Sequence, residues 1–340
     1  MDKNKRTEIA SLGEFKLIDR ICAPFQSEQS STVKGAGDDA AVIDTGDKYL
    51  LLSNDLLLEG VHFDLTYFPL QHLGYKAVVV GISDILAMNG TPRQILIALG
   101  LSSRFSVEMV DLFYEGVRAA CKDYHVDLAG GDTTASINGL TISITATGDV
   151  DKEKIVYRSG AQVNDLVCLS GDLGAAYMGI HLLEREKRAC NGQPNPKPKF
   201  EGYEYILRRE LKPEARMDII ERLAQNGIVP TSMIDISDGL ASEALHLCKS
   251  SNKGIRIYLN RIPIAKQTYA MAEELHSDPV VAALNGGDDY ELLFTVPLSK
   301  QAEVFAMGVD VIGHITTPES GAMLVTPDGQ EIELRAQGWK

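Results

Sequence analysis

The 340-residue sequence has no uncharged apolar run near the ~20 residues that a membrane-spanning helix needs, so no span is expected. Its opening, from Met1 to Arg6, leads into no long apolar core, which predicts no secretory signal. Cysteine is sparse and odd in number: Cys22, Cys121, Cys168, Cys190 and Cys248, with no Cys-x-x-Cys. That pattern excludes a zinc or disulfide framework and points to reduced thiols in the cytoplasm. No basic block occurs. The 33 Lys+Arg stand against 47 Asp+Glu, a formal charge of -14, which argues against nucleic acid as a partner. The usual phosphate-binding sequences are missing too. Gly35-Ala36-Gly37 runs into two acids rather than Gly-Lys-Ser/Thr, and neither His-Arg-Asp nor Asp-Phe-Gly appears in a protein-kinase arrangement.

What remains is an ordinary globular composition, 44% hydrophobic and 24% charged. The length suggests about two domains of ~150 residues, with enough buried surface to need no covalent staple. The spacing predicts a helix over 8–22, strands at 40–43 and 49–53, and a strand over 94–101. A helix over 107–124 and a short strand at 126–129 follow. Residues 73–89 have the β-branched content of a strand. Their length and the closing Asn89-Gly90 suit a helix with a left-handed cap, and a helix is the reading adopted. Leu140, Ile142, Ile144 and Ala146 alternate with polar residues, the period of a half-buried strand.

The pattern restarts after Gly148-Asp149, with strands at 166–169, 255–259, 290–296 and 311–315 and helices at 174–187 and 213–226. Residues 190–200 hold three prolines and two lysines and read as a loop. Strands and helices interleave in both halves, so the expected architecture is α/β (or α+β) in two domains, 1–150 and 151–340.

The acids are clustered rather than scattered. Gly-Ala-Gly-Asp-Asp (35–39), Ser-Asn-Asp (53–55), Ser83-Asp84, Gly-Gly-Asp-Thr-Thr (130–134), Ile-Asp-Ile-Ser-Asp-Gly (234–239) and Gly-Gly-Asp-Asp-Tyr-Glu-Leu (286–292) fall mostly at apparent strand ends. Aspartate is common in turns for local reasons, but ligand sites also collect at strand ends in α/β sheets. Asp84 sits among Val78, Val79, Val80, Ile82, Ile85 and Leu86. It reads either as a buried metal ligand or as a helix-surface carboxylate, solvated or paired with Lys76. A helix starting near Ser237 would put Asp238 in its first turn. Capping would then account for Asp238 but not for Asp235. Several adjacent carboxylates cannot all ionise without cations, and hard oxygen ligands suit Mg²⁺ bridging to phosphates. Magnesium would also invert the local sign and let an acidic protein receive ATP.

These motifs, in order, resemble the thiamine-monophosphate kinase family of the aminoimidazole ribonucleotide synthetase-like superfamily. Gly13-Glu14-Phe15, Glu-Gly-Val-His-Phe (59–63), Gly-Tyr-Lys-Ala (74–77), Ser-Asp-Ile-Leu-Ala-Met (83–88), Tyr-Arg-Ser-Gly-Ala (157–161) and Gly338-Trp339 complete the likeness. The resemblance implies phosphoryl transfer from ATP to thiamine monophosphate, with several Mg²⁺ ions. It also implies an N-terminal α/β domain that forms a sheet or barrel with its twin in a homodimer, and a C-terminal α/β domain that closes over the nucleotide.

By position, the resemblance makes Asp39, Ser53, Asn54, Asp55, Asp84, Asp132, Asp235 and Asp238 the metal set. It makes Gly131, Asp132, Arg158 and Ser237 nucleotide contacts, and His62, Asp288 and Trp339 substrate contacts. Asp84, Asp132, Asp238 and Arg158 would carry the transfer. Asn54 stands where the family often has Thr, and Asp288 where it often has Glu. The alternatives are a sibling ATP-dependent synthetase, or a non-catalytic protein that binds Mg²⁺ or nucleotide.

Overall fold

In the computed structural model, which describes residues 8–9, 13–192 and 197–336, the strands form two sheets. The first contains β1 (Thr32–Lys34), β2 (Ala41–Asp44), β3 (Lys48–Leu58), β4 (Thr91–Leu101), β5 (Asp127–Ala135) and β6 (Leu140–Asp151), in the order β1-β2-β3-β6-β4-β5. Only the β4–β5 pair is parallel. The second contains β7 (Leu166–Leu169), β8 (Ser232–Asp235), β9 (Gly254–Tyr258), β10 (Leu292–Val296), β11 (Asp310–Thr316), β12 (Ala322–Val325) and β13 (Glu331–Glu333). Their order is β13-β12-β9-β11-β7-β10-β8, with β9–β12 the one parallel pair. Mostly antiparallel sheets flanked by helices put the fold on the α+β side of the expectation.

The helices are α1 (Glu14–Cys22), α2 (Leu70–Ala87), α3 (Val107–Tyr124), α4 (Ala175–Cys190), α5 (Glu204–Leu211), α6 (Met217–Gln225), α7 (Leu240–Ser251), α8 (Lys266–Glu274), α9 (Pro279–Asn285) and α10 (Gln301–Ala306). Helix α2 organises the molecule. It packs on β3, β4 and β6, carries α3 on its other side, and touches β8 of the second sheet. Its middle is buried all round, from Leu73 to Ser83, which explains why the segment shows no helical period. Tertiary packing holds its three consecutive valines in a helix against their own preference. Asn89 ends it in the left-handed region, φ 58, as the Asn-Gly pair predicts. The alternation in β6 is realised: Leu140, Ile142, Ile144 and Ala146 are buried.

Several sequence boundaries need correction. The described part of the first helix begins at Glu14, not 8. Ser53-Asn54-Asp55 lies in the middle of β3 rather than at a strand end, and β5 continues through Gly-Gly-Asp-Thr-Thr to Ala135. The helix expected over 213–226 starts at Met217. Pro213 falls between it and α5, a helix the sequence reading missed because its eight residues bury only Ile206 and Glu210.

Helices α2 and α3 meet backbone to backbone. A Cβ at Gly116 would lie 1.8 Å from the carbonyl oxygen of Gln71, and one at Gly74 would lie 2.0 Å from that of Phe113. Gly116→Ala must push the helices apart, and a loss of at least ~1–3 kcal/mol in equilibrium urea unfolding is expected. Gly35→Ala, with nothing within 4 Å of the added carbon, should leave the unfolding midpoint nearly unchanged.

Candidate metal and phosphate site

The site is assembled from chain segments that lie far apart in sequence. Along β3 the side chains alternate, so Ser53 and Asp55 share the α2-facing side with buried Leu51 and Leu57, while Asn54 and Leu56 are exposed on the other. Ser53 Oγ donates to the carbonyl of Gly81 at 3.1 Å, which fixes the strand against the helix. Asp84 projects from the next turn of α2. Asp39 comes from the turn before β2, and Asp235 ends β8. Ligand oxygens of Asp39, Asp84 and Asp235 all lie within 4.8 Å of one another. Ser83 Oγ donates to Asp235 Oδ2 at 2.5 Å, which ties the end of β8 to α2.

Burial and mutual repulsion govern the chemistry here. Burial, reinforced by the charge of Asp235, pushes Asp55 up to about 7. Burial does the same to Asp39, also to about 7, although Arg158 pulls the other way. Asp84 is held well above the usual carboxylate range, first by burial and then by Asp55, Asp235 and Asp39. Burial raises Asp235 as well, opposed by the Ser83 hydrogen bond. Oδ2 of Asp39 and Oδ2 of Asp55 are buried without a hydrogen-bond partner. The cluster is therefore short of positive charge.

Arg158 supplies part of it. Its guanidinium donates to Asp39 Oδ1 from Nε at 3.0 Å and from Nη2 at 2.6 Å, and its backbone N–H donates to Asp38 Oδ1 at 3.0 Å. Asp38, which the sequence reading passed over beside Asp39, thus anchors the arginine's main chain. Glu243 was also missed. Buried at the start of α7, it accepts the N–H of Asp238 at 3.0 Å and shapes the loop that carries Ser237 and Asp238.

The other expected residues fall in different places. Asp238 is not in the first turn of a helix, because α7 begins at Leu240 after the left-handed Gly239; it is exposed in the preceding loop. Asn54 is not brought to the cluster. It faces away, and its Nδ2 donates to Ser143 Oγ, Ile144 O and Thr145 Oγ1 at 3.1, 3.1 and 2.8 Å. Gly131 and Asp132 lie on the exposed edge strand β5, outside the three-aspartate cluster. Gly131 is required there for packing, since a Cβ would meet Ile97 O at 1.9 Å.

His62 is half-buried, and its Nδ1 accepts the N–H of Leu58 at 3.0 Å. Burial holds the imidazole below its usual range, against the pull of Asp288, so the neutral ring keeps its proton on Nε2. Asp288 does not join the acid cluster and instead pairs with Lys76 at 3.1 Å. The alternative partner for Asp84 on its own helix is thereby engaged elsewhere. Trp339 lies outside the described residues.

Residues 37–150 match the family described as AIR synthase related protein, N-terminal domain, and residues 162–332 match its C-terminal domain. A thiamine-monophosphate kinase of Aquifex aeolicus (strain VF5) is 35% identical over 333 residues, covering 98% of this chain and 99% of the relative. One of Bacillus subtilis (strain 168) is 31% identical, covering 96% and 99%. A solved structure described as AaThiL complexed with AMPPCP and TMP superposes with a TM-score of 0.85 at 33% identity, covering 98% of this chain and 99% of the other. Hydrogenase maturation protein HypE, at 17% identity and a TM-score of 0.67, shares the fold and covers 95% of this chain and 98% of its own.

The raised carboxyls carry a stability consequence with a definite sign. Asp39 and Asp55 keep protons in the fold up to about 7, whereas the unfolded chain loses them near 4. Stability from this source is therefore present at low pH and lost as pH rises from about 4 through about 7. A divalent cation competes with those protons. Thermal unfolding with and without Mg²⁺ should show a larger metal-induced rise in Tm near about pH 8 than near about pH 5. An equal shift at both would remove the cluster as a metal site.

Proposed function

The chain belongs to the thiamine-monophosphate kinase family, and we propose that it transfers the γ-phosphoryl group of ATP to the phosphate of thiamine monophosphate, giving thiamine diphosphate and ADP. The observation that carries this reading is the convergence of Asp39, Asp84 and Asp235 from three distant segments, with ligand oxygens within 4.8 Å of one another. Two partnerless buried carboxylate oxygens, on Asp39 and Asp55, are the kind of hard ligand that suits a divalent cation. Asp39, Asp55, Asp84 and Asp235 would hold Mg²⁺, with Ser53 and Asp238 at the margin; Asn54, turned to the other face, is not assigned. Bound there, Mg²⁺ would neutralise and orient the phosphates of the two polyanions.

The protein's own groups do the rest by placement. The acceptor is a phosphate oxygen, already ionised near neutral pH, so no general base is needed. The site accordingly has no histidine beside the three aspartates. Arg158 keeps donors on its fork beyond the two that meet Asp39, and we assign it to the transferred phosphoryl group. The exposed hydroxyl of Ser237 and the backbone of Gly131 are assigned to the nucleotide, together with Asp132. Neutral His62 offers Nε2–H to the substrate, and Asp288 and Trp339 complete its distal contacts.

A homodimer is part of the proposal. Strand β5 is an unprotected edge, exposed at every residue, and exposed Leu56, Leu96 and Leu128 sit on the same sheet. A second copy covering that edge would also enclose Asp132. The halves 1–150 and 151–340 are taken as its two domains. No helix among the described residues is long and apolar enough to cross a membrane. The five free cysteines suit the reducing cytoplasm to which we assign the protein.

Purified protein with Mg-ATP and thiamine monophosphate should form ADP and thiamine diphosphate. ADP no higher than with ATP alone would leave only a binding protein. Asp84→Asn should lower kcat by at least about a thousandfold with a native circular dichroism spectrum; a near-normal rate would place Asp84 outside the site. Saturating thiamine monophosphate should change the emission of Trp339, the single tryptophan, and an unchanged spectrum would remove it from the substrate contacts.

A further inference from the structure

Helix α2 carries two charged residues, Lys76 and Asp84. Asp84 belongs to the acid cluster, but Lys76 has been given no role. Its side chain is 3% exposed, and its Nζ donates to Glu210 Oε1 at 2.9 Å and to Asp288 Oδ2 at 3.1 Å. The ring of Phe68 lies beneath it, 5.4 Å from centroid to Nζ. The two acids come from the opposite half of the chain, Glu210 from α5 and Asp288 from the segment before β10. The remaining oxygen of Asp288, Oδ1, accepts the hydroxyl of Tyr290 at 2.7 Å. Both carboxylate oxygens are thus pinned from inside, yet the side chain stays 28% exposed.

The backbone at Asp288 is unusual in the same direction. Gly287, Asp288 and Tyr290 have φ of 70, 58 and 52. A left-handed aspartate two residues before a left-handed tyrosine costs energy, and such strain persists where the surroundings over-determine it. Here the surroundings are the acid-site loop. Asp288 N–H donates to Ser237 O at 2.8 Å, and Tyr290 N–H to Ile236 O at 2.8 Å. The strained segment hangs from the loop that follows Asp235 and bears Asp238 on one side and from Lys76 on the other.

We propose that Lys76 is a positioning residue that aims the Asp288 carboxylate at the substrate, with Glu210 as the second anchor of its ammonium group. This rests on the kinase reading, since thiamine monophosphate carries a thiazolium cation that a fixed, partly exposed carboxylate would recognise. Glu210 is buried against Lys76, so Asp288, with its side chain 28% exposed, is the member of the triad that can face a ligand. A purely structural bridge between the halves would need no strained aspartate and no partly exposed side chain.

Steady-state kinetics on Lys76→Met, which keeps the stem and removes the charge, separates the two roles. The KM for thiamine monophosphate should rise by about tenfold or more, while kcat and the KM for Mg-ATP stay within about twofold. In an Asp288→Asn background the same change should add less than about twofold, because its route to the substrate is gone. Glu210→Gln, closer in shape, should raise the same KM by about threefold and serves in the cycle if Lys76→Met fails to fold. Equal effects on both substrates, a fall in kcat alone, or additivity with Asp288→Asn would overturn the positioning role. Wild-type protein that makes no thiamine diphosphate would instead overturn the kinase reading, and the two failures are read from different arms.

Discussion

A charge on a buried helix must be answered by its surroundings, and α2 poses that problem twice. Lys76 and Asp84 are eight residues apart, so they sit about 12 Å apart along the axis of a helix whose other residues are mostly buried and uncharged. An isolated ion there would cost more than the fold can spare. At one end the structure answers with two acids and an aromatic face. At the other it gives Asp84 only more acids and one shared arginine. The cations proposed for the cluster would supply the missing balance.

The same asymmetry explains how so acidic a chain can handle phosphates. Asp39, Asp55, Asp84 and Asp235 would repel ATP if ionised alone; burial pushes all four carboxyls above the usual range, Asp39 and Asp55 to about 7. The proposed cations would displace protons from such carboxyls and reverse the sign of the cleft. Chemistry between two phosphates then needs orientation and charge cancellation rather than a base. The rigid parts supply orientation: Ser53 bonded to α2, Ser83 bonded to Asp235, and the main chain of Arg158 bonded to Asp38.

Much of this was legible in the sequence because the signals are local. The alternation of β6, the left-handed Asn89 and the aspartates beside glycines all reveal themselves within a few residues. The acids were read at strand ends, however, whereas Asp55 and Asp132 lie inside long strands. A strand continues wherever its partners do, and pairing with β6 and β4 is invisible to a local pattern. Asn54 was misplaced for a related reason, since a period of two puts neighbours on opposite faces and the motif Ser-Asn-Asp hides that. Asp38 and Glu243 act on backbone N–H groups, and no side-chain motif marks such a role. Lys76 was considered only as a partner for Asp84, because Glu210 is 134 positions away.

Neither half of the chain contains the site by itself. The first sheet provides Ser53 and Asp55, the second provides Asp235, and α2 is the element common to both. Ser83 and Asp84 meet β8 near one end of that helix, and Lys76 meets α5 and the Asp288 segment nearer the other. The points at which the acid cluster and the Asp288 carboxylate meet the first half of the chain are therefore spaced by helical rise. Helical rise is among the least adjustable lengths in a protein. Strain accompanies that fixity. The short run through Gly287, Asp288 and Tyr290 adopts left-handed backbone as it passes from the Ser237 carbonyl to the Lys76 ammonium. A looser connection would relieve it, but would leave the carboxylate free to swing away from whatever it faces.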